Sequence, residues 1–576
     1  MTTPEHALPQ VLQRCGVYIL ILVALLWFVP SKGILFYLFH YQDMATLVLV
    51  AGMLLAIAAG LRRGWITLRP LTPGPIAPVL IVLAVFVVCA AGPWLIFGQY
   101  VFSRDEVMAD FDAAILRTGH LMIAVPPRWI DYSDALVPMF RHEVPGNVAW
   151  VSNYLPGNAM LRALADLTIG KAYAGPMLAA IAAVALYRVA RRLWPQTPAA
   201  PTGALVLLAT SPQFLVTGMT AYAMTAHLAL NLLWLWCFLR NDRRGVAGAL
   251  AVGFLATGLH QILFHPLFVL PFIVELLLAR RWSRAVVYGL GYAAIGIFWI
   301  SYWSIAFALS GIAGNGGGAA ISGVAQLALV AATLVKGFGL ASVVMMFVNV
   351  LRLVAWQHIL IVPLAVLAWP AIRRAEGSAR PLAGGILLTL IAMFVLMPNQ
   401  GYGWGYRYEH GMLGSLCLLA VYGWQEVAKT ADVARLRAAG AAATIFTVLV
   451  MLPLDVIAAY RLVRPYRVAH EMIAGASTPI VLVDAAGSMT GQDLVRNAPD
   501  LSNRPLVMDL GQFDAAQVRD LCTRYPITLF GRREAALAAI PSEGEVPPDR
   551  RRELEMLGCR VESPASWTSA QSPQDR

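Results

Sequence analysis

Apolar segments of membrane-spanning length recur along most of the chain and alternate with short polar stretches. A helix needs about 20 consecutive apolar residues to cross the hydrocarbon core of a bilayer. This pattern predicts an all-α polytopic membrane protein with about 13 transmembrane helices. The predicted spans are 15–38, 43–61, 76–98, 172–190, 200–218, 221–239, 245–260, 262–279, 285–307, 353–371, 381–398, 411–428 and 439–459.

The pattern changes from Arg461 onward, where the residues resemble those of a soluble domain. Buried strands are predicted at 479–484, 505–510 and 527–530, and helical segments around 490–496 and 513–522 alternate with them. This order is typical of a small α/β domain with a parallel sheet. The predicted organisation is therefore a membrane domain over 1–460 that includes the loop 99–171, an α/β domain over 461–565 and a disordered tail over 566–576.

Composition and charge agree with the membrane class. The chain has 576 residues, of which 59% are hydrophobic and 13% charged, and its mean hydropathy is +0.66. The net charge of +11 does not indicate nucleic-acid binding, because basic clusters recur in alternate loops between the spans. Cytoplasmic loops carry the excess of Lys and Arg. We therefore expect a cytoplasmic N-terminus, an outer loop 99–171 and an outer C-terminal domain. If that domain lies outside the cytoplasm, Cys522 and Cys559 can form a disulfide, although their spacing alone does not decide this.

The outer loop 99–171 is long and polar and carries two helical patterns. Apolar residues recur at near-helical spacing over 107–120, which predicts an amphipathic helix on the membrane surface. A second helix is predicted over 156–169. Two further apolar stretches, 322–335 and 339–351, are expected on the same side, as interfacial helices or, as the alternative, as a short re-entrant hairpin.

Asp105 and Glu106 are the strongest catalytic candidates in this loop because they follow directly on an apolar span. A carboxylate at that position loses part of its hydration, which raises its pKa and its basicity. Such a group suits general-base activation of an acceptor, and an acidic pair can also bind a divalent cation. The other acidic residues of the loop are expected to be solvated in most cases; they are Asp110, Asp112, Asp131, Asp134 and Glu143.

A second candidate site is the glycine turn, which we define as residues 398–410 (Pro-Asn-Gln-Gly-Tyr-Gly-Trp-Gly-Tyr-Arg-Tyr-Glu-His). Arg407 suits bidentate contact with a phosphate. Tyr406 and Tyr408 can stack on a sugar, and the three glycines let the backbone approach a ligand. An aromatic belt at the membrane boundary is the alternative interpretation.

Two more polar residues complete the predicted donor site. His260 lies near the outer end of a span, where a polar residue is a functional candidate or a hydrogen-bonded core histidine. Lys171 begins a span and is the best placed of the other outer cations, which include Arg128, Arg141, Lys336 and Arg352. We predict that Arg407, Tyr408, His410, Lys171, Tyr406 and His260 bind the phosphate and sugar of a donor.

This layout resembles the GT-C class of polytopic glycosyltransferases, which includes protein O-mannosyltransferases and lipid A aminoarabinose transferases. Arg104-Asp105-Glu106 at the start of a large outer loop carries the resemblance, together with the small-residue helix that ends near Gly119-His120. The Tyr154–Gly157 stretch, which precedes a second helix, fits as well. The class usually places this loop after the first span, whereas two predicted spans precede it here.

The resemblance implies a glycosyltransferase of a bacterial inner membrane that uses a polyprenyl-phosphate-linked sugar donor. Asp105 and Glu106 would be catalytic, and the acceptor would be an envelope glycan, lipid or protein on the periplasmic face. Two alternatives stay open, an O-antigen polymerase or ligase and a transporter of lipid-linked sugars. A transporter is expected to carry paired ionisable residues within the membrane and an internal repeat, and the sequence places nearly all charges at span ends.

Overall fold

The computed structural model of the protein describes residues 7–30, 32–65, 74–142, 144–311, 339–543, 549–562 and 567. The structure is mostly helical and divides into two compact units. The first unit contains the described residues of Met1–Trp94, Ala172–Tyr302 and Ile321–Ala459, and the second those of Leu95–Lys171, Trp303–Ala320 and Tyr460–Arg576. The predicted helix over 322–335 and most of the predicted tail lie outside the described residues.

The first unit consists of α-helices with two π-helical turns and a short 3-10 segment. Its described elements are Ala7–Leu26, Ile34–Leu38, the π turn Phe39–Asp43, Met44–Arg63, Ala77–Leu95, Ala174–Leu193, Ala199–Ala209, Pro212–Gly218, Met224–Phe238, Arg243–Thr257, Phe264–Leu278, Trp282–Ile300, Leu340–Ala355, Ile361–Leu367, Trp369–Arg373, Ala379–Leu396, the 3-10 segment Arg407–Met412, Leu413–Ala428, Val433–Phe446, the π turn Thr447–Met451 and the start of Leu452–Ala474.

Seven of the described helices are long and apolar enough to cross a membrane, or eight if the bent pair Ala199–Ala209 and Pro212–Gly218 is one span. On the Ala77–Leu95 helix, apolar side chains at positions i, i+4 and i+8 are exposed, with Val79 at 64%, Leu83 at 55% and Val87 at 54%. Exposed apolar rows of this kind suit contact with lipid. The seven are Ala7–Leu26, Ile34–Arg63, Ala77–Leu95, Lys171–Leu193, Trp282–Ile300, Ala379–Leu396 and Val433–Ala474.

Several predicted spans differ from the helices found, and the count of thirteen is not confirmed. The span predicted over 15–38 is wrong, because one helix ends at Leu26 and the next begins only at Ile34, after Gly33. The span predicted over 353–371 is also wrong. There a helix ends at Ala355, and two short helices follow that carry Pro363 and Pro370 near their starts, where proline is tolerated.

The second unit combines short helices with two small sheets. Its α-helices are Arg104–Arg117, Ser133–Leu136, Gly157–Thr168, Tyr302–Ser310, Ala515–Arg524, Arg532–Leu537 and Arg551–Met556, and the Leu452–Ala474 helix ends in it. Its 3-10 segments are Pro127–Tyr132, Pro145–Asn147, Gly491–Leu494 and Leu510–Gln512; Lys171–Tyr173 begins at its boundary.

The larger sheet of this unit has four parallel strands in the order Leu506–Asp509, Ile480–Val483, Ile527–Phe530 and Val561–Glu562. The first three lie within or overlap the three segments predicted as strands. Cys522 and Cys559 form a disulfide beside the sheet. A two-stranded antiparallel sheet pairs Ile123–Ala124 with Ala149–Trp150.

One apolar core joins the loop 99–171 to the C-terminal residues. The structure therefore groups this loop with the C-terminal sheet, whereas the sequence analysis assigned it to the membrane domain. Both regions contribute fully buried side chains to this core. The most buried members are Ile115, Leu136, Trp150, Ile480, Leu482, Met508, Leu510, Leu521, Ile527, Leu529 and Leu554.

Candidate functional site

Asp105 and Glu106 lie in the first turn of the Arg104–Arg117 helix. The apolar periodicity predicts a start three residues later, at Val107, because it does not include the N-cap at Ser103. Ser103 is the cap, and the Glu106 carboxylate accepts hydrogen bonds from its backbone N–H at 3.2 Å and its hydroxyl at 3.4 Å. Ser-x-x-Glu is the sequence of a capping box, which fixes where a helix begins. Glu106 is 2% exposed, so its carboxylate serves the helix start.

Asp105 is half-buried and has a different environment. Its carboxylate accepts a hydrogen bond from the hydroxyl of Tyr154, which precedes the Gly157–Thr168 helix. The positive end of the helix dipole also stabilises a negative charge in the first turn. Asp105 is therefore held by the Tyr154 hydroxyl, while its neighbour caps the helix.

Two further carboxylates of the same helix are paired rather than solvated, contrary to the expectation for this loop. Asp110 accepts from both Nε and Nη2 of Arg162, at 2.8 and 2.5 Å, and lies 3.4 Å from Lys171 Nζ. Asp112 accepts from the backbone N–H of Ser152 at 2.9 Å and from its hydroxyl. Burial raises the pKa of Asp112 to about 7. Both side chains tie the helix to the following part of the loop.

A cavity of about 380 Å³ lies beside this helix within the same unit. Gly98 has a φ of +57° and lies so close to Arg467 that a Cβ there would be 2.1 Å from Nη1. The Arg496 guanidinium lies over the Tyr100 ring, 4.0 Å from its centroid. Guanidinium, amide and carboxylate groups in one cavity can bind hydroxyl-rich or anionic groups. The lining residues are Gly98, Gln99, Tyr100, Val101, Val107, Asp110, Arg467, His470, Glu471 and Arg496.

The glycine turn lies in the other unit, where protein groups surround its backbone. Gln400 closes the turn, because its amide donates to the Gly405 carbonyl at 2.9 Å and accepts from the Arg407 N–H at 2.8 Å. A Cβ on Gly405 would lie 2.3 Å from the Gln213 side chain, and a Cβ on Gly403 would lie 2.8 Å from the Arg407 side chain. Gly403 and Gly405 thus permit close packing and positive φ within the protein.

Arg407 is half-buried and lies over the Tyr408 ring, 5.1 Å from its centroid, and 5.8 Å from that of Tyr222. Arg407 and Tyr408 line a small cavity of about 20 Å³ with Met224, His227, Asn231, Phe264, Gly411 and Met412. This volume holds about one water molecule. A phosphate bound there would therefore displace some of the lining side chains.

The remaining predicted donor residues differ in accessibility. Tyr406 is fully buried, and its carbonyl accepts from the Gln213 amide at 2.9 Å, so its ring presents no surface on which a sugar can stack. His410 is also fully buried, and His260 is half-buried. The structure places Tyr406, Tyr408, His410, Arg407 and His260 in the first unit.

Sequence reasoning missed polar residues within the apolar Met224–Phe238 helix. His227 lines the small cavity, and neither of its ring nitrogens has a hydrogen-bond partner among the described residues. The same holds for both oxygens of Glu409 and both ring nitrogens of His410. Buried polar atoms without partners are costly unless a ligand or water satisfies them. The signal was available, since a polar residue inside an apolar span is a functional candidate.

A buried ion pair was also missed. Asp43 and Arg352 are both fully buried, with Oδ2 and Nε 2.7 Å apart, although Arg352 was expected to be an outer-face cation. Arg352 also donates to the Gly403 carbonyl at 2.8 Å, and the Trp356 indole donates to Asp43 at 2.6 Å. The pair therefore anchors the glycine turn. Within the described part of the chain, no three His, Cys, Asp or Glu side chains are placed to share a metal ion.

The fold is similar to that of two solved structures of ArnT, a lipid A aminoarabinose transferase with the GT-C fold, from Cupriavidus metallidurans. The structure bound to undecaprenyl phosphate aligns over 81% of this chain and 88% of its own, with a TM-score of 0.50 and 12% sequence identity. The chain has the GT-C fold. The apo structure aligns over 77% of this chain and 86% of its own, with a TM-score of 0.48 and 13% identity. No protein-family description and no curated protein sequence matches the chain.

The resemblance found in the sequence is thus confirmed for the GT-C fold. The Arg104–Arg117 helix, with its acidic first turn, and the glycine turn belong to separate compact units of this GT-C protein. Asp105, Glu106 and Lys171 lie in the second unit, and the other predicted donor residues lie in the first.

Proposed function

We propose that this GT-C protein transfers a sugar from a polyprenyl-phosphate-linked donor to a cell-envelope glycan, lipid or protein. The observation that carries the proposal is Asp105, a carboxylate held by the Tyr154 hydroxyl in the first turn of the Arg104–Arg117 helix. The GT-C fold supports it, because the ArnT structure that shares this fold binds undecaprenyl phosphate.

In the proposed reaction, Asp105 accepts the proton of an acceptor hydroxyl as its oxygen attacks the anomeric carbon of the sugar. The bond between that carbon and the phosphate oxygen breaks, and the polyprenyl phosphate leaves with the electron pair. A positioned general base accelerates such a step by about 10²–10⁴-fold. Glu106 fixes the position of Asp105 by capping the start of the helix. The 380 Å³ cavity is lined by Asp110 of the same helix and is a candidate subsite for a polar part of a substrate.

The donor's phosphate is assigned to Arg407 with Tyr408 and His410, and Tyr406 and His260 complete the donor residues of the first unit. Lys171, in the second unit, stays a predicted donor residue. Among the described residues that line the small cavity, Arg407 is the only cation. His227 lines it as well, and its ring nitrogens have no hydrogen-bond partner within the described part of the chain. A guanidinium binds phosphate oxygens through two parallel hydrogen bonds. The fully buried Tyr406 acts only by supporting Tyr408, whose ring centroid lies 6.2 Å away.

The proposed orientation in a bacterial inner membrane follows from the basic loops, with a cytoplasmic N-terminus and a periplasmic C-terminal domain. The Cys522–Cys559 disulfide supports the outer placement, because disulfides persist in oxidising compartments. The membrane domain of about 13 spans, the α/β domain at 461–565 and the tail at 566–576 remain predictions.

The test is transfer from a panel of polyprenyl-phosphate sugars by wild type, Asp105→Asn and Asp131→Asn. Asp131 lies in the same loop and is exposed, so it controls for loss of one charge. We expect Asp105→Asn to lose at least about 100-fold in kcat while it keeps its affinity for the donor. Transfer at a near wild-type rate would remove Asp105 from the mechanism.

A transporter of lipid-linked sugars is the second candidate, because Asp43 and Arg352 form a buried ion pair. The contact of Arg352 with the Gly403 carbonyl favours an anchoring role instead. Donor flipping in proteoliposomes without any transfer would favour the transporter.

A further inference from the structure

The start of the Arg104–Arg117 helix is held by residues that lie almost 400 positions further along the chain. Arg104, the neighbour of Asp105, forms an ion pair with Asp493, whose side chain is fully buried. Its Nη1 also donates to the Gln492 side chain at 3.1 Å. Two contacts from one short 3-10 segment, Gly491–Leu494, therefore fix the first residue of the helix.

Arg496 holds the segment that precedes the helix. Its guanidinium donates to the carbonyls of Val101 and Phe102, the latter at 2.8 Å, and to the Asp493 carbonyl at 2.7 Å. The same group lies over the Tyr100 ring. One forked side chain thus bridges the backbone before the helix to the segment that binds Arg104, an arrangement that a single-point ammonium cannot reproduce.

These contacts continue into the parallel sheet. The Gln492 amide donates at 3.0 Å to Asp509, the last residue of the Leu506–Asp509 strand. Asn497 exchanges hydrogen bonds with Val507 of the same strand, at 2.7 and 2.9 Å. These hydrogen bonds fix the 3-10 segment to the buried Leu506–Asp509 strand. A site supported by a strand is positioned more precisely than a site on a loop.

We propose that Asp493 and Arg496 are positioning residues for the acidic pair, so that the C-terminal sheet sets the orientation of Asp105 in the transfer reaction. The inference rests on the proposed function. Asp493 and Arg496 act through Arg104 and through the backbone at 101–102. A displacement of about 1 Å in a catalytic group costs on the order of 100-fold in rate, and this is the sensitivity that a rigid support protects against.

The experiment uses the full-length protein in detergent micelles and compares four changes. Asp493→Asn removes the ion pair with little change in side-chain volume. Arg496→Lys keeps the positive charge but removes the planar guanidinium that donates to three carbonyls at once. The exchanged pair Arg104→Asp with Asp493→Arg restores opposite charges in reverse order. Glu553→Gln is the control, because Glu553 pairs with Arg550 on the exposed surface of the same region.

Two readouts are measured for each variant. Hydrogen–deuterium exchange over 104–117 reports how well the helix start is held and does not depend on enzyme activity. Transfer kinetics report kcat and the donor KM separately. For Asp493→Asn and Arg496→Lys we expect faster exchange over 104–117, a 10- to 100-fold lower kcat and a donor KM within about twofold of wild type. The exchanged pair should recover part of the kcat, and Glu553→Gln should match wild type.

The inference is overturned if Asp493→Asn leaves kcat unchanged, whether or not exchange rises, because faster exchange alone would mean a purely structural contact. A parallel loss of kcat and donor binding, without recovery in the exchanged pair, would indicate general unfolding and also overturn it. The Asp105→Asn variant separates the two claims. If it abolishes transfer while Asp493→Asn does not, only the positioning role fails; if it leaves transfer intact, the proposed function fails as well.

Discussion

Arg407 illustrates how a single side chain combines packing with a capacity to bind. Its guanidinium lies against the rings of Tyr408 and Tyr222, and its backbone N–H is held by Gln400. A guanidinium stacked on aromatic rings keeps its charge and its planar set of N–H donors. It also loses little conformational freedom when it binds an anion. This environment is compatible with the phosphate-binding role proposed for Arg407.

At the residue scale, we predict that Arg407→Ala weakens binding of a polyprenyl phosphate by about 10- to 100-fold, because a hydrogen bond to a charged group is worth about 1.5–3 kcal/mol. At saturating donor, kcat should stay within about threefold of wild type. Arg407→Lys should recover part of the affinity, since it keeps the charge without the fork. Isothermal titration calorimetry and steady-state kinetics measure the two quantities.

The control is Arg374→Ala in the same unit, where Arg374 is half-exposed and pairs with Glu376 and Glu426. This substitution removes one positive charge at a position outside the glycine turn. Equal donor affinity in wild type and Arg407→Ala would count against the phosphate-binding role.

Residue roles could be predicted only where the sequence itself carries the partner. Asp105 was singled out because it follows an apolar span, and Ser103 with Glu106 carried a capping box that was overlooked. The Tyr154 hydroxyl on Asp105 joins residues 49 apart and leaves no local pattern. Asp43 and Arg352 are 309 residues apart, so nothing in the sequence paired them.

The glycine turn is the element whose conformation most restricts its sequence. Gly401 and Gly405 have the same φ of +62°, a backbone conformation that residues other than glycine rarely adopt. Their surroundings differ, because a Cβ on Gly405 would meet Gln213 at 2.3 Å and Trp356 at 2.8 Å. On Gly401 the nearest atom would be Arg407 Nη2, at 3.9 Å.

At the element scale, Gly405→Ala should destabilise the protein more than Gly401→Ala. Both substitutions place a Cβ on a residue with positive φ, which costs about 1–2 kcal/mol. Only Gly405→Ala adds an overpacking cost of roughly 1–3 kcal/mol, because its Cβ would meet Gln213 and Trp356. Thermal unfolding in micelles measures the difference. Gly203→Ala, in a helix with open space around its Cβ, is the control and should not lower the melting temperature. Equal melting temperatures for the two turn variants would mean that packing around Gly405 is looser than described.

Elements were predicted well where periodicity is strong. The second helix of the loop was placed at 156–169 and lies at Gly157–Thr168, and the three strand segments coincide with observed strands. Helix boundaries within the apolar regions were poorly predicted, because a continuous apolar run does not show where a helix breaks. The interruption after Ala355 and the bent pair at Ala209–Pro212 are examples.

Across the whole molecule, the sequence predicted the GT-C class and missed the long-range polar contacts within each unit. The Asp43–Arg352 pair brings together parts of the first unit that are far apart in sequence and also holds the Gly403 carbonyl. A fully buried ion pair is costly to break, because one charge then remains buried without its partner.

At this scale, Asp43→Asn is expected to destabilise the protein by about 3–5 kcal/mol, since it leaves Arg352 buried and uncompensated. The double variant Asp43→Leu with Arg352→Leu should lose less stability than the sum of the losses in the single variants Asp43→Leu and Arg352→Leu. Thermal unfolding in micelles provides the comparison. Glu275→Gln, which removes a half-exposed pair with Arg380, is the control and should change stability by less than about 1 kcal/mol. Additive losses in the double variant would show that the two charges are not coupled.

The core shared by the loop 99–171 and the C-terminal sheet has a consequence for biosynthesis. Trp150 donates its indole N–H to the Pro499 carbonyl, 349 residues later. At about 5–20 residues per second, a ribosome reaches that partner roughly 20–70 s after it has made the tryptophan. In the proposed orientation, the loop is exported during this interval without the C-terminal residues that complete its core, so a periplasmic chaperone would be needed to shield its apolar face.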